Sequence, residues 1–285
     1  RDEANLHGHW DRVATLALSL ACRRLSAHRT KFSRHDYTRR QQLVILIIRA
    51  LQDTTYRGVC EFLRASPGVR EALGIRSVPH FTTLQKFADR EDIVSLVDEL
   101  IEELLEHLPI EDGCEAAMDS TGFSPTCASR HYVSKRSDRE SRYIKASVAV
   151  VCGVVLPCAL VVSWGPGPDL AEGYELAERT ARAVRPSRVY ADRGYDSERM
   201  HELLRDGFGV ESVIPPVPKG VNKAVRSKHR AALHAGLPSG YGRRWEVESF
   251  FSGLKRVTGS SVRSRGTRRP LGEVALKILA YAVHR

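Results

Sequence analysis

Residues 144–163 read Ile-Lys-Ala-Ser-Val-Ala-Val-Val-Cys-Gly-Val-Val-Leu-Pro-Cys-Ala-Leu-Val-Val-Ser, and this stretch decides the fold. It contains two runs rich in β-branched residues, 144–152 and 154–163, which are joined at Cys152-Gly153. Short runs of this kind, separated by a turn that contains glycine, are typical of a β-hairpin. The stretch therefore predicts two neighbouring antiparallel strands.

Further strands and helices are predicted on both sides of this hairpin. Strands are expected at 114–118, 188–191 and 210–214. Helices are expected at 169–184, with an Asp169-x-x-Glu172 capping box, at 197–206 after Asp196, near 240–257, and from 271 onward. This order predicts an α/β domain over 111–285, in which a mixed sheet with three antiparallel strands first and parallel strands later is flanked by helices.

The first part of the chain, residues 1–110, predicts helices only. Thr38 and Gln41 form a capping box ahead of the apolar run 43–48. Residues 92–107 place apolar side chains at helical spacing, and the opposite face of that helix is acidic. We therefore expect an all-α N-terminal domain ahead of the α/β domain.

The charge of the chain points to a polyanionic partner. Lys and Arg number 44 against 34 Asp and Glu, which gives a net charge of +10 and a pI near 9.5. No run is long and apolar enough to span a bilayer, and the N-terminus lacks signal-peptide character. We expect a cytoplasmic protein without membrane association. Because the sequence begins at Arg1 and ends inside the apolar run 274–283, we also expect the natural protein to be longer.

Two aspartates follow predicted strands directly. Asp119 ends the strand in Ala-Met-Asp-Ser-Thr-Gly, and Asp192 ends the strand in Val-Tyr-Ala-Asp-Arg-Gly-Tyr-Asp. In open α/β sheets, ligand-binding groups gather at the carboxyl ends of strands. Carboxylate oxygens are the ligands that Mg²⁺ prefers. Taken singly, either residue is better explained as an ordinary turn aspartate.

The segment 240–256 carries the more specific pattern. At about 100° per residue, Tyr241, Arg244, Glu248 and Lys255 project from one face of a helix. Val247, Phe251 and Leu254 form the neighbouring apolar stripe, which would hold the helix against a sheet, and Glu246 points away from the polar face. The alternative interpretation is a solvated charged face with one ion pair.

The pattern Y-x₂-R-x₃-E-x₆-K formed by these four residues resembles the signature around the last catalytic acid in a large group of bacterial insertion-sequence transposases of the DDE type. The segment from Asp192 to Asp196 is similar to the D-x-G-Y-D segment around the second acid of that family, and Asp119 stands where the first acid is expected. The resemblance covers about 115–285. It implies an RNase H-like fold and a transposase that cleaves transposon ends and transfers them into target DNA.

The same resemblance implies the site. Asp119, Asp192 and Glu248 would hold Mg²⁺, with Mn²⁺ as a substitute. Arg244 and Lys255 would bind phosphates, and Tyr241 would orient a phosphate or stack on a base. The partners implied are double-stranded DNA, as transposon ends and as target, and a second copy of the chain in a homodimeric DNA complex. Basic residues near Asp119 are further candidate DNA contacts: Arg136, Arg142 and Lys145.

Several questions stay open from sequence alone. The short interval between Asp192 and Glu248 lacks room for the β-rich insertion of some relatives, so the chemistry of second-strand cleavage is not fixed. An RNase H-like nuclease without strand transfer uses the same metals. A transposase-derived protein that only binds DNA is a further alternative, although retention of all three acids argues against it. Residues 1–110 are expected to contribute DNA-end recognition.

Overall fold

The computed structural model describes residues 4–32, 36–125, 142–217 and 227–285. The chain divides into two compact units. The first contains Arg1–Glu106 and Leu254–Arg285, and the second contains His107–Ser124 and the described part of 131–253. Within the described ranges, no helix is long and apolar enough to cross a membrane.

The first unit is helical, as expected for the N-terminal part of the chain. Its elements are α1 (Ala4–Arg24), α2 (Arg39–Leu51), α3 (Tyr56–Ala65), α4 (Pro67–Ala72), α5 (Phe81–Arg90), α6 (Ile93–Glu106), the short strand β6 (Ser261–Val262) and α11 (Arg269–His284).

Helix α2 begins with the predicted capping box. The Gln41 amide donates to the Thr38 hydroxyl at 3.1 Å, and the Thr38 amide donates to the Gln41 side chain at 2.8 Å. From Gln42 to Leu51 every residue of the helix is buried. A helix that is buried on all sides forms the centre of its unit, and the apolar run 43–48 explains why α2 takes that place.

Helix α11 packs against α2 and α6, and it is also buried along nearly its whole length. Arg49 of α2 pairs with Glu273 of α11 at 2.8 Å, and both side chains are almost fully buried. The predicted boundary near residue 110 lies close to the observed change of unit after Glu106, but residues 254–285 group with the helices rather than with the 111–285 domain. A helix that is buried on all sides requires neighbours on several sides, and the helices of the first unit supply them.

The second unit is built on a sheet. Its strands are β1 (Glu115–Pro125), β2 (Tyr143–Val151), β3 (Leu156–Gly165), β4 (Arg188–Tyr190) and β5 (Glu211–Val213), in the order β3-β2-β1-β4-β5. The pairs β3–β2 and β2–β1 are antiparallel, whereas β1–β4 and β4–β5 are parallel. The helices of this unit are α7 (Asp169–Val184), α8 (Glu198–Glu202), α9 (Lys228–Ala235) and α10 (Trp245–Thr258).

This arrangement confirms the expected α/β fold, a mixed sheet of RNase H-like strand order flanked by helices. The predicted hairpin is β2–β3, with its turn at 152–155. Residues 144–151 are all buried, because β2 is a central strand with a neighbour on each edge and α7 against one face.

Three local predictions differ from the structure. Asp119 lies in the middle of β1 rather than at its end, because antiparallel pairing with β2 continues to Phe123. Helix α7 has Pro168 as its N-cap, so Asp169 and Glu172 do not form a capping box. Asp196 does not cap a helix either, since Ser197 occupies the N-cap position of α8.

Asp196 instead organises a buried polar cluster. Arg230 donates to both carboxylate oxygens of Asp196, at 2.7 and 2.6 Å. His201 is fully buried, with its Nδ1 atom 2.6 Å from the Ser212 hydroxyl and its Nε2 atom 3.7 Å from Asp196. Burial lowers the pKa of His201 to about 4, although the charge of Asp196 opposes this shift. The imidazole is therefore neutral in the folded protein near neutral pH.

We predict that His201 makes the protein sensitive to acid. Between its unfolded pKa near 6.5 and its folded pKa of about 4, the unfolded chain binds a proton that the folded chain does not. The free energy of unfolding should therefore fall as the pH drops through this window, by on the order of 3 kcal/mol from this residue. Urea unfolding of the wild type and of His201→Gln between pH 7 and 4 measures the difference.

The matched control is His234→Gln, because His234 is exposed on α9. That variant should keep the pH dependence of the wild type. An equally steep acid dependence in His201→Gln would contradict the prediction.

Candidate active site

The two aspartates lie at the same level of neighbouring parallel strands. Ala117 of β1 stands opposite Tyr190 of β4, and Asp119 and Asp192 each follow that pair by two residues. Parallel strands have their carboxyl ends on the same side of a sheet, so both carboxylates reach the same region. The pairing of β1 with β4 therefore brings Asp119 and Asp192 to the same side of the sheet.

Asp119 has a perturbed environment. Its carboxylate accepts a hydrogen bond from the Ser120 amide at 2.8 Å, and its side chain is mostly buried. The pKa of Asp119 is raised to about 6, mainly by burial and in part by the negative charges of Asp192 and Glu248. Arg244 acts in the opposite direction. The three acids thus lie within electrostatic reach of one another, and their mutual repulsion favours a bound cation.

Asp192 begins a single 3₁₀ turn, Arg193–Tyr195, and accepts a hydrogen bond from the Gly194 amide at 2.8 Å. Gly194 is tightly enclosed. A Cβ atom at this position would lie 3.0 Å from the Asp192 carboxylate and 3.2 Å from the carboxylate of Asp169. Glycine therefore allows a second acid, Asp169, to approach the turn that orients Asp192.

Glu248 lies on the exposed face of α10, and the preceding 3₁₀ turn, Tyr241–Arg244, carries its neighbours in the motif. The Arg244 guanidinium pairs with Glu248 and lies 3.6 Å from the Asp119 carboxylate. The Tyr241 hydroxyl is 3.4 Å from the carbonyl oxygen of Ala191, the residue before Asp192. Three of the four motif residues thus meet the two aspartates in one place.

The donor set fits a divalent metal, since three carboxylates offer the oxygen ligands that Mg²⁺ and Mn²⁺ accept. In the described part of the chain, no group of three or more His, Cys, Asp or Glu side chains is already gathered closely enough to hold an ion. The Arg244 guanidinium lies between two of the acids and compensates their charge. Metal binding at these acids therefore requires Arg244 to release at least one of them.

The prediction that Lys145 contacts DNA is wrong. Its side chain is 3% exposed, its ammonium pairs with Asp169 at 2.8 Å and with Glu172 at 3.4 Å, and it donates to the carbonyl of Gly167 at 3.0 Å. A buried and fully paired ammonium does not reach a DNA backbone. Its position on the central strand β2 explains the burial, because side chains of that strand point into the packed faces of the sheet.

Further predicted DNA and phosphate contacts are Arg142, Arg136 and Lys255. Arg142 is exposed and directly precedes β2. Arg136 lies outside the described residues. Lys255 lies on α10 two turns after Glu248, and burial lowers the pKa of its ammonium.

Sequence reasoning missed a set of structural charges beside the site. Glu246, expected to point away from it, is buried and accepts hydrogen bonds from the Gly153 amide at 2.5 Å and from Arg243 at 2.8 Å. Arg243 also donates to Glu115 at 2.5 Å. The adjacent arginines at 243 and 244, followed by acids at 246 and 248, were the available signal.

The comparisons with known proteins identify the family of the chain. Residues 111–283 match a family model described as the transposase DDE domain. No curated protein sequence matches the chain. A solved structure to which the chain is similar is piggyBac transposase in a synaptic complex with hairpin DNA, with 12% sequence identity, a TM-score of 0.48, and 95% of this chain and 70% of the other covered. Because the family match covers more than half of its residues, the chain belongs to the transposase DDE domain family.

Proposed function

We propose that this protein is a DNA transposase that cuts DNA at transposon ends and joins those ends to target DNA. The observation that carries the proposal is that Asp119, Asp192 and Glu248 lie within electrostatic reach of one another. The β1–β4 register aligns the two aspartates, and Arg244 contacts Asp119 and Glu248. The family membership supports the same activity. The proposal includes double-stranded DNA as substrate and a location in the cytoplasm.

In this proposal the three acids hold divalent ions, Mg²⁺ by preference and Mn²⁺ as a substitute. Such ions, when bound, activate the attacking oxygen and neutralise charge on the leaving oxygen at phosphorus. Asp119 contributes a carboxylate from strand β1 and Asp192 contributes one from the turn after β4, whereas Glu248 contributes one from α10. The raised pKa of Asp119 means that its carboxylate gains from a neighbouring positive charge, which lowers the cost of ionising it at neutral pH.

In this proposal Arg244 binds different groups before and after the metal ions are bound. In the structure its guanidinium compensates Glu248 and Asp119. With the acids engaged by cations, the same planar group is free to hold two oxygens of a DNA phosphate. The Tyr241 hydroxyl, beside the backbone that leads to Asp192, is placed to hydrogen-bond the same phosphate. Lys255 and the exposed Arg142 extend the proposed phosphate contacts.

The helical first unit is proposed to recognise the transposon ends, and a homodimer is proposed to hold two ends together. Both stay predictions. The helical unit presents exposed basic residues such as Lys86 on α5, whereas Arg39 pairs with Glu91 at 2.8 Å and Arg40 donates to the carbonyl of Leu25 at 2.7 Å. Exposed cations of this kind add salt-dependent affinity for DNA.

We predict that Asp119→Asn, Asp192→Asn and Glu248→Gln each reduce metal-dependent cleavage of end DNA by at least about a hundredfold. DNA affinity in EDTA should stay close to that of the wild type, because cationic side chains supply it. Cleavage of a labelled end fragment in Mg²⁺ and in Mn²⁺, together with filter binding, measures both.

Glu178→Gln is the matched control, because Glu178 forms an exposed pair with Arg182 on α7. Normal cleavage by Asp192→Asn would refute the metal assignment. Joining of pre-cut ends to target DNA separates a transposase from a nuclease. Specific DNA binding without cleavage in either metal would identify a protein that only binds DNA.

We further predict that Lys255→Ala reduces cleavage by about a hundredfold, because a charge-assisted contact to a phosphate at the reacting centre contributes a few kcal/mol. Arg256→Ala should have little effect, since Arg256 projects about 100° away around α10. The measurement is single-turnover cleavage, with thermal melting of both variants as a check on folding. Equal and small losses of activity in the two variants would show that Lys255 does not contact the reacting phosphate.

A further inference from the structure

Arg243 is the centre of a group of charges that connects the start of α10 to the sheet. We refer to the group as the Arg243 cluster, and it consists of Arg243, Glu246, Glu115, Tyr190 and Arg188. Arg243 donates from Nε to Glu246 at 2.8 Å and from Nη1 to Glu115 at 2.5 Å. The other oxygen of Glu115 accepts from the Tyr190 hydroxyl at 2.8 Å and from Arg188 at 3.2 Å.

The cluster reaches most of the sheet. Glu115 begins β1, Tyr190 and Arg188 belong to β4, and Arg188 also donates to Glu211 of β5 at 2.8 Å. Glu246 extends it to the β2–β3 turn, because its second oxygen accepts from the Gly153 amide at 2.5 Å. A single guanidinium thus fixes the N-terminal turn of α10 to β1 directly and to the other strands through its two acids.

The pKa shifts of Glu115 and Arg243 indicate that the groups of the Arg243 cluster stabilise one another's charges. Burial would raise the pKa of Glu115, but hydrogen bonds from Tyr190 and Arg243 outweigh burial and hold that pKa below its usual value. The hydrogen bond to Glu246 raises the pKa of Arg243. Charged groups that are bonded on several sides are costly to disturb, because each partner is left partly buried and unpaired.

Strand β1 connects the Arg243 cluster to the candidate site, because it carries both Glu115 and Asp119. Side chains alternate along a strand, so Glu115 and Asp119 project from the same face of β1. Arg243 contacts the first and Arg244 contacts the second. Two consecutive arginines therefore bind two carboxylates four residues apart on one strand. The Arg243 contact, whose acidic partners are also held by the Gly153 amide and the Tyr190 hydroxyl, sets the position of the helix that carries Glu248.

We infer that Arg243 is a positioning residue for metal binding: by bridging Glu115 and Glu246, it holds α10 where Glu248 can act together with Asp119 and Asp192. The inference rests on the proposed function of the three acids. Arg243 itself does not contact the reacting groups. It acts through the placement of Glu248.

Arg243 could act by positioning Glu248 or only as a nearby positive charge, and the two roles predict opposite effects of its removal on metal affinity. If the residue were only a nearby positive charge, its loss would leave the region more negative and would strengthen binding of a cation. If it positions Glu248, its loss lets the start of α10 shift and weakens binding of a cation. The sign of the change in metal affinity therefore distinguishes positioning from simple electrostatics.

The experiment is a titration of the full chain with Mn²⁺ in the absence of DNA, in which free Mn²⁺ is measured by electron paramagnetic resonance. Arg243→Met should bind Mn²⁺ at least about tenfold more weakly than the wild type, which corresponds to about 1.4 kcal/mol. Arg244→Met should bind it as tightly or more tightly, because Arg244 competes for Asp119 and Glu248. Arg182→Met, which loses only the exposed pair with Glu178, should match the wild type.

A double variant tests whether the cluster acts as a unit. Glu115→Gln with Arg243→Met should bind Mn²⁺ no more weakly than Arg243→Met alone, since the contact is already lost. Affinity equal to or above the wild type in a folded Arg243→Met would overturn the inference. If Arg243→Met does not fold, Arg243→Lys takes its place, because an ammonium keeps the charge but does not bridge both acids with a planar group.

Failure of the inference and failure of the proposed function are distinguishable. Asp192→Asn serves as the reference in the same titration. If Asp192→Asn binds Mn²⁺ as the wild type does, the three acids do not hold the metal and both ideas fail. If Asp192→Asn binds weakly while Arg243→Met binds normally, the metal site stands and only the positioning role is overturned.

Discussion

The parallel pairing of β1 with β4 is the interaction on which the candidate site depends. It is formed by only three residues of each strand, yet it determines where the side chains of Asp119 and Asp192 lie along the two strands. A shift of the pairing by one residue would turn one of the two carboxylates to the opposite face of the sheet. The buried hairpin β2–β3 holds β1 from its other edge, so the register is fixed by an apolar core as well as by hydrogen bonds. The positions of the two aspartates thus depend on the short parallel pairing of β1 with β4, which the longer antiparallel pairing of β1 with β2 stabilises.

Charge compensation explains how several acids can remain close together in the folded protein. Burial raises the pKa of Asp119 most, the negative charges of Asp192 and Glu248 add to that rise, and Arg244 offsets part of it. One residue earlier, Arg243 compensates the negative charges of Glu115 and Glu246 in the same way, since it pairs with both carboxylates. The two arginines differ in what surrounds them. The partners of Arg243 are also held by backbone and strand groups, whereas Glu248 is half exposed and able to exchange its partner.

The sequence predicted the features that depend on local pattern. The hairpin, the α2 capping box, the helical first part of the chain and the position of Asp192 after β4 follow from periodicity, caps and strand ends. Features that depend on tertiary pairing were not accessible. The length of β1 was underestimated because its second half is stabilised by β2, which no local signal in that half reveals. Lys145 was assigned to DNA because its acidic partners lie more than twenty residues away. The grouping of α11 with the first helices is likewise a contact across the whole chain.

Gly194 illustrates how little freedom the turn after β4 has. The position between the Asp192 and Asp169 carboxylates has space for a hydrogen atom but is tight for a carbon. The Asp192 oxygen cannot move aside without losing its hydrogen bond from the Gly194 amide. Every missense change of a glycine codon adds at least a Cβ atom. Each single-base missense change in that codon therefore acts on the orientation of Asp192.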